Sequence, residues 1–105
     1  MLDQNQIISF IKTFDDVFEE QSPGDDAILF KKSDKLFAVL ELSSPNRLSL
    51  RCDPGLAKVL REKYETVMPG VKLNPKHWNT FVLTGQVDWD EIQGFIQHSY
   101  QLLSV

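Results

Sequence analysis

Residues 47–54 read Arg-Leu-Ser-Leu-Arg-Cys-Asp-Pro. Arg47, Ser49 and Arg51 alternate with Leu48, Leu50 and Cys52, so an extended strand here carries two arginines on one face and three apolar groups on the other. Asp53-Pro54 then starts a helix. An aspartate at the N-cap accepts from the unpaired N–H groups of the first turn, and proline suits the first helical position because its missing N–H has no partner there.

Upstream, the apolar runs Ala27–Phe30 and Leu36–Leu42 flank Lys32-Ser33-Asp34-Lys35, the pattern of a hairpin with a charged tip. Ser43-Ser44-Pro45-Asn46 turns the chain into the arginine strand, since proline fixes φ and asparagine tolerates left-handed backbone. Nearer the start, Asp3 and Gln6 form a capping pair, and Ile7, Ile11, Phe14 and Phe18 recur at helical spacing. These predict a first helix from Asp3 to Glu20, stopped by Ser22-Pro23-Gly24, with Asp25-Asp26 holding the connection in solvent.

Downstream of Asp53, Leu56, Val59, Leu60 and Tyr64 make the inward stripe of a second helix, with Lys58, Arg61, Glu62 and Glu65 outside. The helix ends before Pro69-Gly70. The stretch Val67–Thr80, Val-Met-Pro-Gly-Val-Lys-Leu-Asn-Pro-Lys-His-Trp-Asn-Thr, reads as a specifically built loop into a strand at Thr80–Thr84, closed by Gly85. Asp88 with Glu91 resembles a capping box, and Ile92, Phe95, Ile96, Leu102 and Leu103 continue at helical spacing. The order α-β-β-β-α-β-α predicts an α+β domain with an antiparallel sheet, because strands joined by short turns cannot be parallel.

A chain of 105 residues is the size of one domain with one modest core, so residues 1–105 are expected to form a single unit. No apolar run approaches the roughly 20 residues of a membrane helix, and the acidic, polar start lacks the basic and apolar regions of a signal peptide. Cys52 is the one cysteine of the sequence, which rules out an intrachain disulfide and agrees with a reducing compartment. A cytoplasmic protein, not associated with membranes and monomeric, is the expectation.

The net charge of −4 conceals segregation. Residues 1–26 carry seven acids against one lysine, residues 27–80 five acids against ten lysines and arginines, and residues 81–105 three acids and no base. A basic middle between acidic ends is the pattern of a polyanion-binding face or of an ordinary solvated surface.

Catalytic chemistry finds little support. Cys52, His77 and His98 lack metal-ligand spacing, and the pair Cys52 and His77 lacks an orienting acid and an oxyanion loop. The five glycines are scattered, so no phosphate loop is present. We expect neither an enzyme nor a metal or cofactor site. Nucleic-acid binding has more support: Arg47 and Arg51 share a strand face, Lys31, Lys32 and Lys35 cluster at the hairpin, and Lys72, Lys76, His77 and Trp78 share the loop. Cations meet phosphates, and an aromatic stacks on a base or wedges between bases. Trp78 has an alternative use as an anchor pinning the loop, and that is the favoured reading because tryptophan is usually mostly buried. Asn74 and Asn79 have an alternative use in loop hydrogen bonding.

From Leu50 to Tyr100 the sequence resembles the bacterial YjbR (MmcQ-like) family. The resemblance is carried by Leu-Arg-Cys-Asp-Pro-Gly-Leu-Ala-Lys-Val-Leu-Arg-Glu-Lys-Tyr, then Pro69-Gly70, Lys-His-Trp-Asn-Thr at 76–80, and His-Ser-Tyr-Gln-Leu-Leu at 98–103, with Lys-Leu-Phe-Ala-Val-Leu at 35–40 fitting upstream. The matching positions are Cys52, Asp53, Pro54, Pro69, Gly70, Asn74, Lys76, His77, Trp78, Asn79, Ser99 and Tyr100. Val71-Lys72 and Pro75 depart from the Tyr-His and Lys usual there. The resemblance implies a double-wing α+β fold and, by analogy of fold, DNA binding. Arg47, Arg51, Lys72, Lys76, His77, Trp78 and Asn79 are the candidate contacts. A protein-interaction module using the acidic first helix or the loop is the alternative. The Lys-His-Trp-Asn loop and the Ser-Tyr pair are further expected to clasp one another.

Overall fold

The computed structural model describes residues 4–21, 26–42, 46–70, 73–84 and 86–103. Asp3, the Ser22-Pro23-Gly24 stop with Asp25, Ser43-Ser44-Pro45, Val71-Lys72 and Gly85 lie outside the described residues. The elements in chain order are α1 (Gln4–Ile11), β1 (Val17–Gln21), β2 (Ala27–Lys32), β3 (Lys35–Glu41), β4 (Arg47–Arg51), α2 (Pro54–Lys63), β5 (Val67–Pro69), β6 (Trp78–Val82) and α3 (Trp89–Gln101). The strands form one sheet in the order β1-β2-β3-β4-β6-β5, antiparallel at every pairing. The expected α+β class and helix order hold, with two short strands, β1 and β5, added at the two sheet edges.

Both additions have local causes. Helix α1 ends at Ile11 rather than Glu20 because the next turn tightens: Thr13 and Phe14 N–H donate to Phe10 and Ile11 carbonyls, and Thr13 Oγ1 also bonds the Phe10 carbonyl at 2.7 Å. Asp16 then takes a positive φ of 60°, which no helix continues through. Phe14 still packs with Phe10 and Tyr100, but Phe18, the last member of the helical spacing, stands on β1 and is 62% exposed. Strand β5 includes Pro69 at its end, where an edge strand tolerates the missing donor.

Helix caps follow the sequence closely. Asp53 Oδ2 accepts from Gly55 and Leu56 N–H at 3.1 and 3.2 Å, and Asp88 Oδ1 accepts from Glu91 N–H at 2.9 Å. The inward face of α2 differs from the expected stripe: Ala57, Leu60 and Tyr64 point in, whereas Val59 is 56% exposed.

All three helices pack on one face of the sheet. Two cross-strand rows supply that face: Gln21, Ile28, Leu40, Leu48, Phe81 and Val67, then Glu19, Phe30, Ala38, Leu50, Asn79 and Pro69. Their central members bury against Ile7 and Ile11 of α1, Ala57 and Leu60 of α2, and Ile92 and Ile96 of α3. A bulge on β3 enlarges this core. Lys31 pairs with Leu36 and Phe30 with Ala38, which leaves Phe37 unpaired and lets both Phe37 and Ala38 reach the helix side.

Candidate nucleic-acid interface

The other face of the sheet carries no helix among the described residues. Its middle row crosses all six strands as Glu20, Leu29, Val39, Ser49, Thr80 and Met68. Arg47 and Arg51 flank this row on the central strand β4, which puts the two arginines on the open face as their alternation predicts. Between them Ser49 Oγ lies 2.8 Å from Thr80 Oγ1, so each of these buried hydroxyls has a hydrogen-bond partner.

The two arginines are held differently. Arg47 reaches Glu41 Oε2 at 3.9 Å, and its Nε is buried without a hydrogen-bond partner. Arg51 donates from Nε to the Leu36 carbonyl at 3.4 Å and sits over the Trp78 ring, 5.3 Å from its centroid. That contact fixes the role of Trp78. Its side chain is 4% exposed, lies beneath the Arg51 guanidinium and stands outside the helix-side core, so it is a covered platform rather than a free wedge.

Asn79 faces the opposite way, its side chain buried on the helix side rather than presented on the open face. Fully buried, it donates from Nδ2 to the Ala57 carbonyl at 3.1 Å and accepts at Oδ1 from Arg61 Nε at 2.7 Å. Asn79 therefore bolts α2 to the sheet. Lys76 is exposed, and its N–H bonds Asn74 Oδ1 at 3.0 Å in an Asx turn. His77 is half-buried, and its carbonyl accepts from Cys52 N–H at 2.7 Å, which extends the β4–β6 ladder beyond Arg51. Lys76 and His77 thus lie at the Trp78 end of β6, beside the arginine strand. Lys72 lies outside the described residues.

Arg61, expected on the outer side of its helix, turns inward. Its Nη2 donates to the Pro75 and Trp78 carbonyls while Nε holds Asn79, so one guanidinium ties the loop to α2. The spacing Ala57, Leu60, Arg61, Tyr64 is the signal that finds it, because positions three and four apart share a helix face. The expected clasp between the loop and the Ser-Tyr pair is also replaced. Ser99 Oγ donates to the Phe37 carbonyl at 2.6 Å and Tyr100 Oη to the Asp15 carbonyl at 2.7 Å, so this pair pins α3 to β3 and to the turn after α1.

The described basic residues of the middle segment do not form one patch. Lys32 lies over the Tyr100 ring on the helix side, Lys63 lies over Tyr64, and Arg61 is committed to the loop. On the open face Lys31, Arg47 and Arg51 are interleaved with Glu20 and Glu41, and Lys31 Nζ is 2.8 Å from Glu20 Oε2. Cys52, on the helix side, is pushed up to about 11 by burial first and by Asp53 second, against a smaller opposing effect of Arg61. Its thiol is consequently protonated at neutral pH and a poor nucleophile. No group of three or more potential metal ligands gathers among the described residues, and no helix there is long and apolar enough to cross a membrane.

A family model described as YjbR matches residues 12–102. The chain is 36% identical over 85 residues to the uncharacterized protein YjbR of Escherichia coli K12, covering 78% of this chain and 72% of the relative. Among solved structures, the DUF419-domain protein DR2400 of Deinococcus radiodurans superposes with a TM-score of 0.93 at 27% identity, covering 99% of this chain and 80% of that one. A crystal structure of a Pseudomonas syringae protein gives a TM-score of 0.83 at 25% identity over 96% of this chain and 98% of that one.

Proposed function

The chain belongs to the YjbR family, and from that premise we propose that it is a non-catalytic nucleic-acid-binding module of the double-wing kind, a cytoplasmic monomer that meets DNA through the open face of its sheet. The observation that carries this reading is the pair Arg47 and Arg51, both only part-buried, on the central strand of a face that carries no helix among the described residues. Lys76 extends the cationic edge at the Trp78 end, with His77 beside it.

The test is fluorescence anisotropy of labelled DNA at low and physiological salt. Affinity falls as salt rises, and Arg47→Ala with Arg51→Ala weakens binding and flattens the salt dependence by about one unit of slope per lost phosphate contact. Absence of binding at low salt removes the reading.

A second reading rests on a different observation of the same face: Leu29, Val39, Met68 and Val82 are only half-buried there, and Phe18 is 62% exposed. An apolar surface of this kind suits a protein partner. That partner binds with little salt dependence, and the double arginine substitution leaves its affinity nearly unchanged.

A further inference from the structure

We infer that the nucleic acid taken by this face is single-stranded, with bases rather than phosphates lying against the sheet along a stripe from Phe18 to Trp78. This rests on the nucleic-acid reading above and names the form of its ligand.

The stripe is set by register. Phe18 of β1 pairs with Lys31 of β2, Lys31 pairs with Leu36 of β3, the Leu36 carbonyl accepts from Arg51 of β4, and Arg51 pairs with Trp78 of β6. Aromatic, cation, aliphatic, cation and aromatic therefore follow one another across five adjacent strands. With strands about 4.8 Å apart the stripe is about 19 Å long. Cations alternating with flat apolar groups are what an unpaired strand needs, since each base offers a π-face and each linkage a single phosphate.

Each end of the stripe has a stacking element. Phe18 is the most exposed large apolar residue described, at 62%, and a base laid on it removes that ring from water. At the other end Arg51 lies over the Trp78 indole, 5.3 Å from its centroid, and its outer side is a surface for a second base. Lys31 is free to exchange partners, because its contact with Glu20 joins side chains that are 34% and 60% exposed, and such surface pairs contribute little.

A duplex fits the same face badly. Double-stranded DNA presents one charge about every 1.7 Å of its axis. Three cations interleaved with Glu20 and Glu41 neutralise few of these, and the half-buried Leu29, Val39 and Met68 of the middle row would desolvate phosphates with no cation to receive them. Bases of an unpaired strand lie on such side chains without that cost.

The experiment is an anisotropy titration of the full chain with labelled oligothymidylate and with a duplex of equal length, at low and physiological salt. The oligothymidylate binds about tenfold or more tightly than the duplex, and Phe18→Ala, a surface change that leaves the fold intact, weakens it about tenfold while hardly moving the duplex. Arg51→Ala weakens the same complex. Equal or tighter arginine-dependent duplex binding, or oligothymidylate affinity indifferent to Phe18→Ala, overturns the single-strand inference while nucleic-acid binding stands. Failure of both probes at low salt overturns the nucleic-acid reading itself and this inference with it.

Discussion

Leu40, Leu48 and Phe81 lie side by side in one cross-strand row, and Val39, Ser49 and Thr80, each their chain neighbour, lie in the row behind them on the other face. The first row is completely or almost completely buried beneath helices. The second holds a hydroxyl pair between two arginines, with a half-buried valine beside it. One backbone ladder serves both rows, so hydrogen bonding between strands cannot account for their difference. What differs is the layer above: α1, α2 and α3 cover one face only. The apolar core is therefore concentrated on the helix side, while on the other face Ser49 and Thr80 are buried as polar groups and Leu29, Val39 and Met68 beside them stay half-exposed.

The largest expected effect tests that separation. Leu48→Ala opens a cavity in the core beneath the helices and costs about 2–5 kcal/mol, whereas Val39→Ala in the adjoining row costs about 1 kcal/mol or less. Urea denaturation of both variants checks it. Equal losses would mean that the open face is packed as tightly as the covered one.

The loop joining β5 to β6 comes next. Asn79→Ala removes the second donor to the Ala57 carbonyl and the side-chain acceptor of Arg61 Nε, for a loss of about 1–3 kcal/mol. At Gly70 an added Cβ would come within 2.6 Å of Trp78 Cβ, so Gly70→Ala must push two paired strands apart and costs about 1–3 kcal/mol. Thermal melts of the two variants, with the Arg51–Trp78 contact followed by tryptophan fluorescence, separate the two causes. Asn79→Ala loosens α2, while Gly70→Ala displaces the indole.

These positions also mark what the sequence made legible. The alternation from Arg47 to Cys52 places side chains correctly on both faces, and Asp53-Pro54 and Asp88 give helix starts that the cap hydrogen bonds reproduce. Strand β1 was hidden because Phe18 falls at a helical interval from Phe14 and Ile11, and only the left-handed backbone at Asp16, a tertiary outcome, breaks the pattern. Strand β5 was hidden behind Pro69, which local propensity reads as a stop. In the candidate interface, Arg47 and Arg51 could be placed from the period of two. The burial of Trp78 could be expected from its residue type, but its place under Arg51 and the inward turn of Asn79 could not, because they depend on Arg61 turning inward and on which strand β6 joins.

Alkaline pH gives a smaller effect, and its sign follows from burial on the helix side. The Cys52 thiol ionises near its ordinary 9.0 when unfolded but near 11 when folded, so the folded state holds its proton over that interval. The stability this contributes is present below pH 9 and is lost as pH climbs from about 9 through 11. Tyr64, raised chiefly by donating its hydroxyl to Glu91 and next by burial, adds a loss of the same sign beginning near pH 10. Urea midpoints measured across this range fall for the natural chain. Cys52→Ala removes the earlier part of the fall and Tyr64→Phe the later part.

Glu41→Gln carries the smallest expected change in stability and sharpens the contrast between faces most. Glu41 lies 3.9 Å from Arg47, and both side chains are more than a third exposed, so losing this ion pair moves the urea midpoint by the equivalent of about 0.5 kcal/mol or less. Binding responds in the other direction. Removing the carboxylate frees the Arg47 guanidinium for a phosphate or a base edge and takes one repelling charge from the face, so affinity for a nucleic acid rises and its salt dependence steepens. Anisotropy and urea denaturation of the same preparation read the two quantities together. A loss of stability well above 1 kcal/mol would show that the Glu41–Arg47 pair braces the sheet, and unchanged affinity would show that the Arg47 side of the open face does not meet the ligand. Tighter binding at nearly constant stability is the result expected of a face whose charges are poised for a partner rather than for the fold.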